Sequence, residues 1–179
     1  VKIAKKINPS KRGELEIIVI DSGSQENEKD IVKGFQLKYT DIVYIRTENR
    51  ETVYGAWNRG IRAARGMYIT NANSDDRHRQ DALEILKNAL DEHPDIKLVY
   101  GDCYLSDTPN ETFEQNPKNR ICRFPDYLPP SSILHYQFGP QPVWHKEIHD
   151  TIGYFDDSYA ALGDYDFNIR FALHFKALH

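Results

Sequence analysis

The sequence predicts an α/β fold with a mainly parallel central sheet flanked by helices. Two observations carry this reading. Short β-branched runs alternate with segments of helical period through the first half of the chain, and the links between successive runs are long enough for crossovers rather than hairpins.

Leu15 to Ile20 is an apolar run that stops at Asp21-Ser22-Gly23-Ser24, which reads as a buried strand ending in a loop, with Ser24 placed to cap the next helix. Residues 26–37 are polar except for Ile31, Phe35 and their neighbours on one face, and Ile42-Val43-Tyr44-Ile45 follows as a second strand. Val53, Trp57, Ile61 and Ala64 recur at helical spacing, Gly66 stops that helix, and residues 67–70 form a third strand. A helix over 80–92, carried by Ala82, Leu86, Ala89 and Leu90, ends near Pro94 before a fourth strand at 96–100. Residues 103–143 are rich in proline, with Pro109, Pro117, Pro125 and Pro129 among them, and predict a long loop or lid. Order returns as a short helix near Lys146 to Ile152 and an amphipathic one over Tyr165 to Phe175.

A chain of 179 residues, 40% hydrophobic and 12% aromatic, has enough apolar material for one domain spanning 1–179. The net charge of -4 argues against a nucleic-acid-binding surface, which needs a clustered basic field. No apolar run is long enough for a transmembrane segment, and the N-terminus lacks the apolar region of a signal peptide. Cys103 and Cys122 have no CxxC spacing and pair only if folding brings them together, so they read as structural thiols and fit a reducing cytosol at least as well as a disulfide.

Ligands of parallel sheets bind beyond the carboxyl ends of the strands, and three of the four strands run into polar or acidic loops. In Asn73-Ser74-Asp75-Asp76, two adjacent carboxylates repel each other unless a cation or donors share their charge. Mg or Mn is the natural partner, taking one or two carboxylates and filling its other positions with water and phosphate oxygens. The alternative is a solvated turn that caps the helix at 80. Asp164-Tyr165-Asp166 opens a helix, whose macrodipole favours an ionised Asp164 able to accept a proton; its alternative is again a cap. Asp21-Ser22-Gly23-Ser24 seats a ribose or base, or is a turn. His145 and His149, four apart, suggest a metal pair but lack the zincin spacing and read as surface or packing residues. Tyr54, Trp57 and Trp144 are aromatic candidates for stacking on a ring, although Trp57 holds a core-facing helical position.

Taken in order, these motifs resemble glycosyltransferase family 2, the large inverting family with the GT-A fold. Glu16 to Ser24 looks like its nucleotide-binding strand and loop, and Val53 to Ile61 with Gly66 to Ile69 is similar to its helix and following strand. Asn73-Ser74-Asp75-Asp76 falls where the family carries its DXD-type metal motif. Gly153-Tyr154-Phe155-Asp156 with Asp164-Tyr165-Asp166-Phe167 matches the stretch that supplies the base.

The resemblance implies a GT-A-like fold in which residues 1–102 bind a nucleotide-diphosphate sugar, UDP-, GDP- or dTDP-linked, and residues 103–179 face a saccharide or lipid-linked acceptor. It assigns Asp21 and Ser22 to the nucleotide, Asp75 to the ribose, Asp76 to a divalent cation, Mn or Mg, and Asp164 to the catalytic base. Asp102, Asp166 and Trp144 are candidates for contacting the acceptor or supporting the site. The implied activity is metal-dependent sugar transfer in polysaccharide or glycan synthesis, in the cytoplasm or at the membrane surface. A non-catalytic nucleotide-sugar-binding module and a nucleotidyltransferase are the rivals, the second without its usual Gly-rich loop here. Nothing before Leu15 resembles the family's first strand, so that strand is expected to be missing and the chain to be a fragment. Gly163 stands where an acidic residue is frequent.

Overall fold

A computed structural model describes residues 15–179. The stretch before Leu15, on which the expectation of a missing first strand falls, lies outside the described residues. The chain divides into two compact units, the first made of the segment up to Met67 with Tyr154–Asp166, the second of Tyr68–Gly153 with Phe167–His179.

In the first unit, β1 (Ile17–Ser22) and β2 (Ile42–Thr47) pair in parallel from Ile17 opposite Ile42 to Ser22 opposite Thr47, and α1 (Glu28–Gln36) is the crossover. Parallel neighbours require such a return, and the buried Val32 anchors it. Asn27, rather than Ser24, precedes α1, and no side-chain hydrogen bond caps that helix. Helix α2 (Val53–Ala63) starts where Thr52 adopts an extended backbone and its Oγ1 accepts the Gly55 N–H at 3.1 Å. Tyr54, Asn58 and Ile61 form its buried face at i, i+4 and i+7, and the helix packs on β1.

In the second unit, β3 (Tyr68–Thr70), β4 (Ile96–Val99), β7 (Val143–His145) and β8 (Lys176–Leu178) form a sheet in the order β3-β7-β4-β8. Strand β7 runs antiparallel to both β3 and β4, while β8 is parallel to β4. Three strands therefore share one direction, as the alternation with α3 (Ala82–Glu92) predicts, and β7 inserts against them. Leu90, Val99 and Val143 form a core with Tyr68, Leu83, Leu86, Ala89, Ile96 and Leu178 around it.

The proline-rich stretch holds a minimal ladder of β5 (Cys103–Tyr104) and β6 (Ile121–Cys122) and a 3-10 helix at Pro129–Ile133. Cys103 lies opposite Cys122 in that ladder, and both are free thiols. Helix α4 (Ile148–Ile152) follows β7. Helix α5 spans Gly163–Ala172, so Asp164 lies within its first turn, and the helix stops short of Phe175 because the chain turns there to pair β8 with β4. Among the described residues no helix is long and apolar enough to cross a membrane.

Candidate active-site residues

The end of β1 is held by charge. Asp21 is 4% exposed; its Oδ1 accepts the Ser24 N–H at 2.9 Å, and its Oδ2 accepts from Arg46 at 2.6 Å and from the Tyr44 hydroxyl. Burial pushes the Asp21 pKa up, but the hydrogen bonds from Ser24 and Tyr44 and the charge of Arg46 outweigh it and bring it to about 2. Tyr44 and Arg46 follow from β2 lying parallel to β1, with Arg46 in register with Asp21. Ser22 Oγ accepts the Glu51 N–H, tying the strand end to the approach of α2. Gly23 has φ 65°, and a Cβ there would lie 3.0 Å from Arg50 N, so only glycine lets the loop turn this close to neighbouring backbone.

Asp164 belongs to the same unit. Its Oδ1 accepts the hydroxyl of Tyr54 at 3.2 Å and the N–H of Tyr165 at 3.0 Å. Tyr54 is 5% exposed, stacked on Phe155 with ring centroids 6.1 Å apart and edge-on to Trp57. That burial rules out the stacking role its aromatic ring suggested from the sequence. Asn58, one helical turn along α2, donates Nδ2 to Phe155 O at 2.7 Å and accepts Phe155 N–H at 3.0 Å, which fixes the segment leading into α5. Asp166 lies two residues beyond Asp164 on the helix, about 200° around its axis, so the two carboxylates project from different faces.

In the second unit, Asp75 and Asp76 occupy an exposed turn after β3, where Asp76 N–H reaches Asn73 O at 3.3 Å and Asn73 Nδ2 reaches Asp76 Oδ2 at 3.0 Å. Helix α3 begins only at Ala82, and Asp81 precedes it, so this acidic pair does not cap the helix. Among the described residues no lysine or arginine forms an ion pair with either carboxylate. Two exposed, uncompensated carboxylates suit a hard divalent cation that takes its other ligands from phosphate and water, and no described group of three or more His, Cys, Asp or Glu forms a fuller cage.

Asp102, after β4, accepts the Phe124 N–H at 2.9 Å and pairs with His179 at 3.0 Å. Burial raises its pKa, while the Phe124 amide and His179 lower it to a net value below the ordinary carboxylate. Its carboxylate thus organises the chain after β4. Trp144 requires a correction. It is 3% exposed in β7 and donates Nε1–H to His149 Nε2 at 3.0 Å, so it is a core residue and offers no platform to an acceptor. His149 is buried against it and His145 packs edge-on to Tyr68, so of the surface or packing roles read from the sequence both take packing.

The sequence profile described as glycosyl transferase family 2 matches residues 3–156. The chain belongs to this family. Among curated relatives, the family 2 chain is 29% identical over 160 residues to a PGL/p-HBAD biosynthesis glycosyltransferase of Mycobacterium bovis, covering 88% of the chain and 58% of that protein. It therefore spans less than two thirds of that relative's length. Among solved structures, S. aureus TarS (residues 1-349) superposes with a TM-score of 0.69 at 18% identity, over 90% of this chain and 47% of that one. TarS has also been solved with UDP-GlcNAc. The mannosyltransferase PcManGT from Pyrobaculum calidifontis, in complex with GDP-Man and Mn2+, superposes with a TM-score of 0.65 at 16% identity, over 93% of this chain and 46% of that one. The fold of this family 2 chain is GT-A-like, an α/β architecture with a mixed sheet and helices.

Proposed function

We propose that the protein is an inverting, metal-dependent glycosyltransferase that moves a sugar from a nucleotide-diphosphate sugar to a hydroxyl of a saccharide or lipid-linked acceptor during glycan or polysaccharide synthesis. The observation that carries this reading is Asp164, a partly buried carboxylate in the first turn of α5 with one oxygen held by two donors, in a chain of family 2.

Asp164 takes the proton of the acceptor hydroxyl as that oxygen bonds to the anomeric carbon. The bond from that carbon to the diphosphate breaks, and its electron pair leaves with the nucleotide. One displacement inverts the configuration, through an oxocarbenium-like sugar that depends on alignment rather than on a covalent intermediate. Asp76, with Asp75 beside it, is the pair suited to a divalent cation, Mn or Mg, which when bound supplies charge stabilisation to the leaving diphosphate. In this reading Asp75 also faces the ribose, and Asp21 and Ser22 serve the nucleotide. Asp21 does so indirectly, as a buried carboxylate that Arg46 and Tyr44 fix at the end of β1. GDP-Man in PcManGT and UDP-GlcNAc in TarS support a nucleotide-sugar donor, and the Mn2+ in PcManGT supports the cation.

A panel of UDP-, GDP- and dTDP-sugars offered to the full-length protein with Mn or Mg tests the reading. Nucleotide release with a product of inverted anomeric configuration is expected from one donor. Binding without turnover across the panel, or a retained configuration, would overturn it.

A further inference from the structure

The Tyr54 hydroxyl donates to Asp164 Oδ1 across a separation of 110 residues, and the ring that carries it is fixed on two sides. Phe155 stacks on one face and Trp57 meets it edge-on, so the hydroxyl is located by core packing and not by solvent. Gly163 supplies the remaining side. A Cβ at that position would lie 2.7 Å from both Cδ2 and Cε2 of Tyr54, closer than any side chain tolerates, so the ring occupies the space that a residue other than glycine would fill. The chain enters this contact through Leu162, whose φ of 66° places a non-glycine residue in the left-handed region. Such a conformation is strained for a residue with a side chain and persists where surrounding contacts impose it.

A carboxylate rotates freely about its last torsion unless it is held, because that torsion has broad, roughly two-fold wells. Both donors to Asp164, the Tyr54 hydroxyl and the Tyr165 amide, converge on Oδ1, and among the described residues no hydrogen bond engages Oδ2. Burial, and then the charge of Asp164, raise the Tyr54 pKa above its ordinary value, so the phenol keeps its proton and acts as donor.

The geometry points to Tyr54 as the positioning residue of the transfer reaction: its hydroxyl holds Oδ1 of Asp164 and leaves Oδ2 to meet the acceptor hydroxyl, with Gly163 as the matched space for its ring. This rests on the reading of Asp164 as the base. A purely structural role is the competing account, since the amides of Gly163 and Asp164 also face the tyrosine oxygen at the start of α5.

Tyr54→Phe removes the hydroxyl and keeps the ring on Phe155, Trp57 and Gly163. It is to be compared with Asp164→Asn and the double variant in the full-length protein, using the donor that the wild type turns over. A lost hydrogen bond to a charged group corresponds to about a 10-fold fall in kcat, with donor KM unchanged. That fall should vanish in the Asp164→Asn background, because Tyr54 acts through Asp164. Gly163→Ala, which drives the ring away, should lower kcat in the same sense. Unchanged kcat for Tyr54→Phe, or a fall that persists undiminished in the double variant, overturns the positioning role. A fall in melting temperature with kcat retained assigns Tyr54 to helix capping and overturns it equally. Wild-type transfer by Asp164→Asn would instead defeat the reading of the base itself, so the two failures are distinguishable.

Discussion

Asn58 pairs with the backbone of Phe155 as a neighbouring strand would, donating Nδ2 to its carbonyl at 2.7 Å and accepting its N–H at 3.0 Å, with 97 residues between them in sequence. Asn58 is 2% exposed and Phe155 6%. Each partner therefore satisfies a group that water cannot reach.

Asn58→Ala removes the side-chain partner of both the carbonyl and the amide of Phe155, and losing the partner of a buried polar group costs about 1–3 kcal/mol. We expect a loss on the order of 3 kcal/mol in chemical denaturation, far more than for an exposed asparagine such as Asn49. Because Phe155 stacks on Tyr54, activity should fall together with stability.

Asp21 sets a pH dependence of folding. Its pKa falls from 3.8 to about 2 on folding, so the unfolded state binds more protons between those values. The contribution is fully present above pH 3.8 and is lost as pH falls towards 2. At 1.36 kcal/mol per pKa unit this is on the order of 2 kcal/mol. Denaturation across this range should show a shallower pH slope in Asp21→Asn than in the wild type, and Arg46→Met should weaken the slope in the same direction.

Asp76 is placed to test the cation. In Asp76→Ala, Mn or Mg should no longer tighten donor binding, measured by calorimetry with and without the metal, while Asp102→Ala should keep the metal effect. Asp102 is already engaged by Phe124 and His179. An intact Mn effect in Asp76→Ala would move the cation elsewhere.

The alternation of β1 to β4 with α1 to α3 was legible because the strands are apolar runs and the helices repeat at helical spacing, although α2 buries Tyr54, Asn58 and Ile61 rather than the Val53, Trp57, Ile61 and Ala64 set read from the sequence, and Val53 is exposed. Strands β7 and β8 were not. Each has three residues, β7 follows Pro140 and Pro142, and the partners that make them strands lie far away in sequence. Of the candidate site, the acidic turn at Asp75 and Asp76 and the helix start at Asp164 were visible as motifs. Tyr54 read only as an aromatic ring and Trp144 as a stacking candidate, since the contacts that define them, with Asp164 and with His149 and Phe167, exist only in the fold. Asn58 lies off the apolar stripe read from the sequence, and its pairing with Phe155 exists only in the fold.

The central claim is that Asp164 is the base, and single-turnover transfer by Asp164→Asn tests it most directly. General-base removal predicts a fall in kcat of about 1000-fold with donor affinity nearly unchanged, because the asparagine keeps the volume and a hydrogen-bond acceptor for Tyr54 but cannot take a proton. Transfer at the wild-type rate would contradict the account.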